Sequence, residues 1–175
     1  VIRFAAPALM AGNTGVLKHA SNVPQCALAL QESFKEAGFP KDVFLTLLAD
    51  SSQVEKIISN PKVKAVTLTG SEYAGIKVAE AAGRNLKKLV LELGGADPFI
   101  ILRDADLEKA AEAAVKSRMI NTGQSCIDAK RFIIESSIAD KVIPLLVANM
   151  QKLVAGDPMV SGTEVGPLAR KDLRD

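Results

Sequence analysis

Tryptophan is absent from these 175 residues, and aromatic side chains make up only 4% of them. So thin a supply offers no stacking platform for single-stranded nucleic acid. An excess of either charge is also missing, because 22 basic residues stand against 20 acidic ones, spread without a block, for a net charge of +2. That balance points away from nucleic acid and from an anionic membrane surface. No charge-free apolar run approaches the roughly 20 residues that a membrane span needs. The two cysteines, Cys26 and Cys126, lie too far apart in sequence to suggest a disulfide framework, and no metal site is expected. Two unpaired thiols suit a reducing compartment, so a cytoplasmic location is expected. The dinucleotide fingerprint G-x-G-x-x-G is missing as well.

A hydrophobic content of 48% with 24% charged residues describes a globular chain. Its length allows one domain or pieces of two. The opening Val1–Pro7 has no basic lead or cleavage pattern, there is no initiator methionine, and Arg174–Asp175 carries no sign of a natural end. An internal fragment of a longer protein is therefore expected. Internal repeats and linkers are not evident.

Strands and helices alternate along the chain. Phe4–Met10 reads as a helix tail ended by Gly12–Asn13, and Gly15–Leu17 as a short strand that delivers Lys18 at its carboxyl end. Pro24 opens a helix that stops at Gly38, with Cys26 packing in its first turn. Val43–Leu48 is the next strand, and Ser52–Glu55 has the spacing of a capping box. Val63–Leu68 is broken by Thr69–Gly70–Ser71 ahead of a helix over Tyr73–Ala82. Further strands are expected at Leu89–Leu93, at Pro98–Leu102 and from Phe132, with helices opened by Asp104 and Ser136; Pro144 predicts a kink or a later start in the last. The alternation predicts an α/β fold with a parallel, doubly wound sheet.

Two stretches carry chemistry. Asn121–Thr122–Gly123–Gln124–Ser125–Cys126 sets a thiol between an amphipathic helix and an apolar strand, beside a glycine that lets backbone crowd in. Leu89–Val90–Leu91–Glu92–Leu93–Gly94–Gly95 puts a carboxylate inside an apolar strand. Burial there disfavours the charged form, which suits a general base near neutrality. Cysteine with glutamate reads as thiol chemistry followed by hydrolysis of an acyl intermediate.

These two stretches resemble the NAD(P)-dependent aldehyde dehydrogenases, especially the bacterial succinate-semialdehyde dehydrogenase-like branch. Gly12–Lys18, Thr67–Ser71 and Gly156–Asp157–Pro158 match in the same order. The resemblance covers nearly the whole chain, and the chain less than half of a usual member. It implies a Rossmann-like parallel sheet, the cofactor domain over residues 1–92, running into the first part of an α/β catalytic domain over 93–175. This fold is known for lacking the usual fingerprint. Cys126 is then the nucleophile and Glu92 the base. Lys18, Ser21, Gly70, Ser71, Leu93 and Gly94 fall at cofactor-binding positions. Ser21 stands where NAD-preferring members often carry glutamate, so NAD and NADP both remain open. The oxyanion would be held by the Cys126 N–H and by an asparagine upstream of Val1.

The sequence departs from the pattern at a few places. His19 replaces a common proline and is read as a loop residue. Ala96 and Asp97 replace more usual types. Ile120 stands where the branch places an arginine for the substrate carboxylate, and Arg118 nearby would face differently on a helix. The resemblance implies a small aldehyde, succinate semialdehyde foremost, as substrate, and a dimeric or tetrameric full-length homo-oligomer; the fragment alone is expected to be inactive. A CoA-acylating enzyme, against which Glu92 argues, and a non-catalytic nucleotide-binding protein are the alternatives.

Overall fold

A computed structural model describes residues 1–174, which fall into two compact units, one over Val1–Leu93 and one from Gly94 onward. The first unit runs α1 (Ile2–Met10), β1 (Gly15–Lys18), α2 (Pro24–Glu36), β2 (Phe44–Leu47), α3 (Val54–Ser59), β3 (Ala65–Thr69), α4 (Glu72–Arg84) and β4 (Lys88–Glu92). Its strands pair in parallel, as the helical crossovers require. β1 lies on β2 with Lys18 opposite Leu47, and β3 lies on β4 with Thr69 opposite Glu92. The ladders stay in these pairs rather than merging into one continuous sheet.

Each pair is covered by its helices. Ala5, Leu9 and Phe44 form one core with Leu17, Leu30 and Phe34, where the Phe34 and Phe39 rings meet edge to face at 5.4 Å. Ile58, Val78, Ala81 and Ala82 form the other, packed on Val66, Leu68 and Leu89. Pro24 occupies the first turn of α2, and Gly38, at φ +85°, lets the chain leave that helix by taking the left-handed conformation.

Three expectations need correction here. The cap before α3 is Asp50, not Ser52: Asp50 Oδ1 accepts the Ser52 N–H at 2.8 Å, and a 3-10 turn over Ser51–Gln53 leads into the helix. A carboxylate two residues upstream outcompetes the serine hydroxyl for the free N–H groups. Cys26 is exposed, not packed, because α2 turns Ala27 into the core and leaves its neighbour outside. Glu92 is only half-buried, with a side chain 44% exposed, because it is the last residue of a strand on a two-stranded ladder.

The second unit contains β5 (Asp97–Ile101), α5 (Leu107–Arg118), β6 (Ala129–Ile134) and α6 (Ala139–Gln151). β5 and β6 are parallel, with Ile101, Ile138 and Val142 buried between strands and helices. Ala111, Ala114 and Val115 complete the apolar face of α5. Asp106, rather than Asp104, caps α5, accepting the Lys109 N–H at 3.3 Å. A 3-10 turn over Ser136–Ile138 precedes α6, which therefore starts later than Ser136 and keeps Pro144 inside it.

The β5–β6 ladder has one irregularity. Asp97 pairs with Ala129 and Pro98 with Arg131, so Lys130 is an unpaired, bulged residue. Pro98 has no N–H to give the ladder, which explains why the register slips there. No helix among the described residues is long and apolar enough to cross a membrane.

Candidate active site

In the second unit, α5 ends at Arg118 and the chain enters a tight loop ahead of β6. Asn121 (φ 50°, ψ 45°), Thr122 (φ 61°, ψ 33°) and Gly123 (φ 72°) take the left-handed conformation in succession. For β-branched Thr122 this is strain, of about 1–3 kcal/mol, that surrounding contacts must offset. Those contacts are present. Thr122 Oγ1 accepts the Gly166 N–H at 3.2 Å, and Gln124 Oε1 accepts the Ala169 N–H at 2.9 Å. The segment after α6, which bridges Ala155 to Val165, thus braces the loop.

From beneath, Arg118 and Asp128 hold the same loop. Arg118 Nη1 donates to Gly123 O at 3.2 Å and lies 3.5 Å from Asp128 Oδ2, which also accepts the Ser125 N–H at 3.0 Å. Asp128 is fully buried, and its Oδ1 has no partner. A buried carboxylate survives only when paired, and the guanidinium supplies that pairing. Arg118 is therefore engaged with the loop and is not presented as a free anchor for a substrate carboxylate.

From the other side Lys130 Nζ reaches three backbone carbonyls, Gly95 O and Ser125 O at 2.8 Å each and Cys126 O at 3.5 Å. Arg131 Nε donates to Ala96 O at 2.8 Å. Gly95 lies so close to the loop that a Cβ on it would meet Cys126 O at 3.0 Å. The glycine thus has a steric reason in this structure. Cys126 itself is partly buried with a free thiol. Among the described residues, nothing accepts a hydrogen bond from its N–H.

The remaining site candidates lie in the first unit, apart from Gly94, which opens the second. Glu92 closes β4, its carbonyl accepts the Gly70 N–H at 3.0 Å, and Arg3 Nη1 stands 3.8 Å from its Oε1. That ion pair is open to water and contributes little. Leu93 folds over Gly75 of α4, where a Cβ would meet its Cδ2 at 2.8 Å. Ser71 caps α4 by accepting the Ala74 N–H at 3.3 Å. The N–H groups of Ser71, Glu72 and Tyr73 have no acceptor among the described residues, so this helix start presents donors outward. Lys18 ends β1, and Ser21 lies in the exposed turn that follows. Between them His19 Nδ1 bonds Ala20 O at 2.7 Å, in keeping with a loop residue.

Asp128 and Lys130 are not singled out by sequence pattern alone. Asp128 had a usable signal, a carboxylate flanked by Ile127 and Ala129, the same cue that marks Glu92. Lys130 had none, because its direction depends on the bulge.

The aldehyde dehydrogenase family model matches residues 1–175. A probable succinate-semialdehyde dehydrogenase [NADP(+)] of Synechocystis is 56% identical over 173 residues, which is 99% of this chain and 38% of the relative. The solved succinic semialdehyde dehydrogenase of Streptococcus pyogenes, in complex with NADP+, superposes with a TM-score of 0.93 at 41% identity, over 97% of this chain and 37% of that one. A Pseudomonas syringae aldehyde dehydrogenase mutant, solved with NAD+ and octanal, gives a TM-score of 0.89 at 34% identity over 96% of this chain and 35% of that one. The chain thus spans about 38% of the length of the Synechocystis relative. With the family model matched from end to end, the chain belongs to the aldehyde dehydrogenase family.

Proposed function

We propose that the whole protein oxidises an aldehyde, succinate semialdehyde in this reading, to the carboxylic acid with NAD or NADP. Residues 1–92 are part of its cofactor domain and residues 93–175 the first part of its catalytic domain. The observation that carries the reading is the Asn121–Cys126 loop. It is strained, braced on both sides, and ends in a partly buried thiol whose own N–H is unengaged.

The residues present fit a dinucleotide. The donors at the start of α4 suit a phosphate group, Lys18 stands at the carboxyl end of a parallel strand, and Ser21 adds no carboxylate against a 2′-phosphate. Gly94 and the Leu93 main chain would lie along the nicotinamide. When bound, the cofactor takes up the hydride lost by the substrate. Cys126 Sγ, as thiolate, adds to the aldehyde carbon, and the Cys126 N–H is free to bond the oxygen that becomes negative. The thioester left after oxidation is hydrolysed when Glu92 takes a proton from an attacking water and the thiolate leaves. Because Arg118 is held by Gly123 and Asp128, the substrate carboxylate must be bound by other residues.

Relatives named as succinate-semialdehyde dehydrogenases support the substrate, and NADP+ and NAD+ in the solved relatives support the cofactor. The test is a steady-state assay of the full-length protein with succinate semialdehyde and either cofactor. Cys126→Ala should abolish turnover; substantial residual activity would sink the nucleophile assignment.

A further inference from the structure

Resting on that reading of Cys126, we propose that Lys130 is a positioning residue for the reaction, holding the Ser125–Cys126 peptide so that the Cys126 N–H meets the developing oxyanion. The argument starts at the peptide itself. No described peptide bond is cis, so the Ser125 carbonyl and the Cys126 N–H point in opposite directions across one rigid plane. Whatever grips the carbonyl therefore aims the N–H.

Lys130 Nζ grips it at 2.8 Å, and its remaining donors run to Gly95 O at 2.8 Å and Cys126 O at 3.5 Å. All three ammonium donors are thereby matched by backbone carbonyls. The Asp128 N–H adds a second bond to Ser125 O at 3.3 Å, and Asp128 Oδ2 fixes the preceding N–H of Ser125. Both peptides flanking Ser125 are thus clamped, while the Cys126 N–H has no acceptor among the described residues. A cation on the carbonyl also draws electron density from the amide and strengthens its N–H as a donor.

The fold explains why the lysine can do this. Pro98 interrupts the β5–β6 ladder, so Lys130 escapes strand pairing at the bulge, and its side chain turns back to the loop it follows. Bulges re-aim side chains in this way beside functional loops.

The test compares the full-length protein with Lys130→Met and Lys130→Arg. One readout is the pre-steady-state burst of reduced cofactor with succinate semialdehyde and NADP. The other is the rate of Cys126 alkylation by iodoacetamide, read by mass spectrometry. Alkylation displaces iodide and builds no oxyanion, so it reports on the thiol without the hole. Lys130→Met should slow the burst about tenfold to a hundredfold, somewhat less than the 10²–10³ lost with a whole oxyanion donor. Its alkylation rate should stay within about twofold, and Lys130→Arg should recover much of the burst because it retains charge and donors.

Parallel slowing of burst and alkylation would mean a merely structural role and overturn the proposal. An unchanged burst in Lys130→Met, alongside a burst lost in Cys126→Ala, would overturn it while leaving the nucleophile reading intact. A normal burst in Cys126→Ala would overturn both. Should Lys130→Met fail to fold, Lys130→Gln carries the same comparison, with the same outcomes on either side.

Discussion

Gly123→Ala tests whether the left-handed turn before Cys126 and the Arg118–Asp128 pair form one device. At φ +72° an alanine costs about 1–2 kcal/mol relative to glycine. Its Cβ would also stand 2.7 Å from Arg118 Nη1 and 3.3 Å from Cζ. The guanidinium must then swing away, because it is the end of a flexible side chain. In leaving, it gives up Gly123 O and leaves a fully buried Asp128 without its cation. Hydrogen bonds to charged groups contribute about 1.5–3 kcal/mol, and the lower end applies because the Arg118 side chain is 35% exposed. The sum is about 3 kcal/mol. The assay is a double-mutant cycle on the full-length protein, with urea unfolding followed by circular dichroism. In an Arg118→Met background the same glycine change should cost only the backbone share of about 1–2 kcal/mol, since there is no guanidinium left to displace. Equal losses in the two backgrounds would refute the coupling and reduce Gly123 to a simple conformational requirement.

Other expectations concern the chemistry and the caps. Glu92→Gln should keep the burst of reduced cofactor but slow the steady rate that follows; an unchanged steady rate would remove Glu92 as the base. Ser21→Glu should reduce turnover with NADP more than with NAD, and equal effects would detach Ser21 from cofactor choice. The Lys109 side chain, and then the Lys109 N–H, hold the Asp106 carboxyl below its ordinary value of 3.8. A lowered carboxylate adds stability above its unfolded-state pKa and loses it as pH falls through the folded one. Amide exchange in the first turn of α5 should therefore quicken below about pH 4 relative to what intrinsic exchange dictates, and Asp106→Asn should remove that extra acid sensitivity. Persistence of the effect in the variant would assign it to another group.

Much of this molecule is written in local pattern. The runs at Gly15, Phe44, Ala65 and Lys88 became strands where the apolar residues and their Gly and Pro boundaries marked them, because burial and backbone chemistry act over a few residues. The helix caps were harder to read. Asp50 and Asp106 displaced Ser52 and Asp104, because neighbouring polar residues compete for the same free N–H groups and spacing alone does not choose between them.

The site divides in the same way. Cys126 and Glu92 were legible as residue types in unusual surroundings, and the family motifs around them were specific. The burial expected of Glu92 was not, because an apolar strand says nothing about how far its last side chain projects from the ladder. What only the tertiary structure decided is the support around the thiol. A proline in one strand breaks a ladder with another, the break frees Lys130, and the lysine closes on carbonyls up to 35 positions away. Arg118 likewise becomes a loop brace because Asp128 is buried beneath it and Gly123 O accepts from it. Sequence determines which groups are available, since composition and short-range pattern are carried by the chain itself. Direction and company come from packing, because they depend on residues that meet only after the chain has folded.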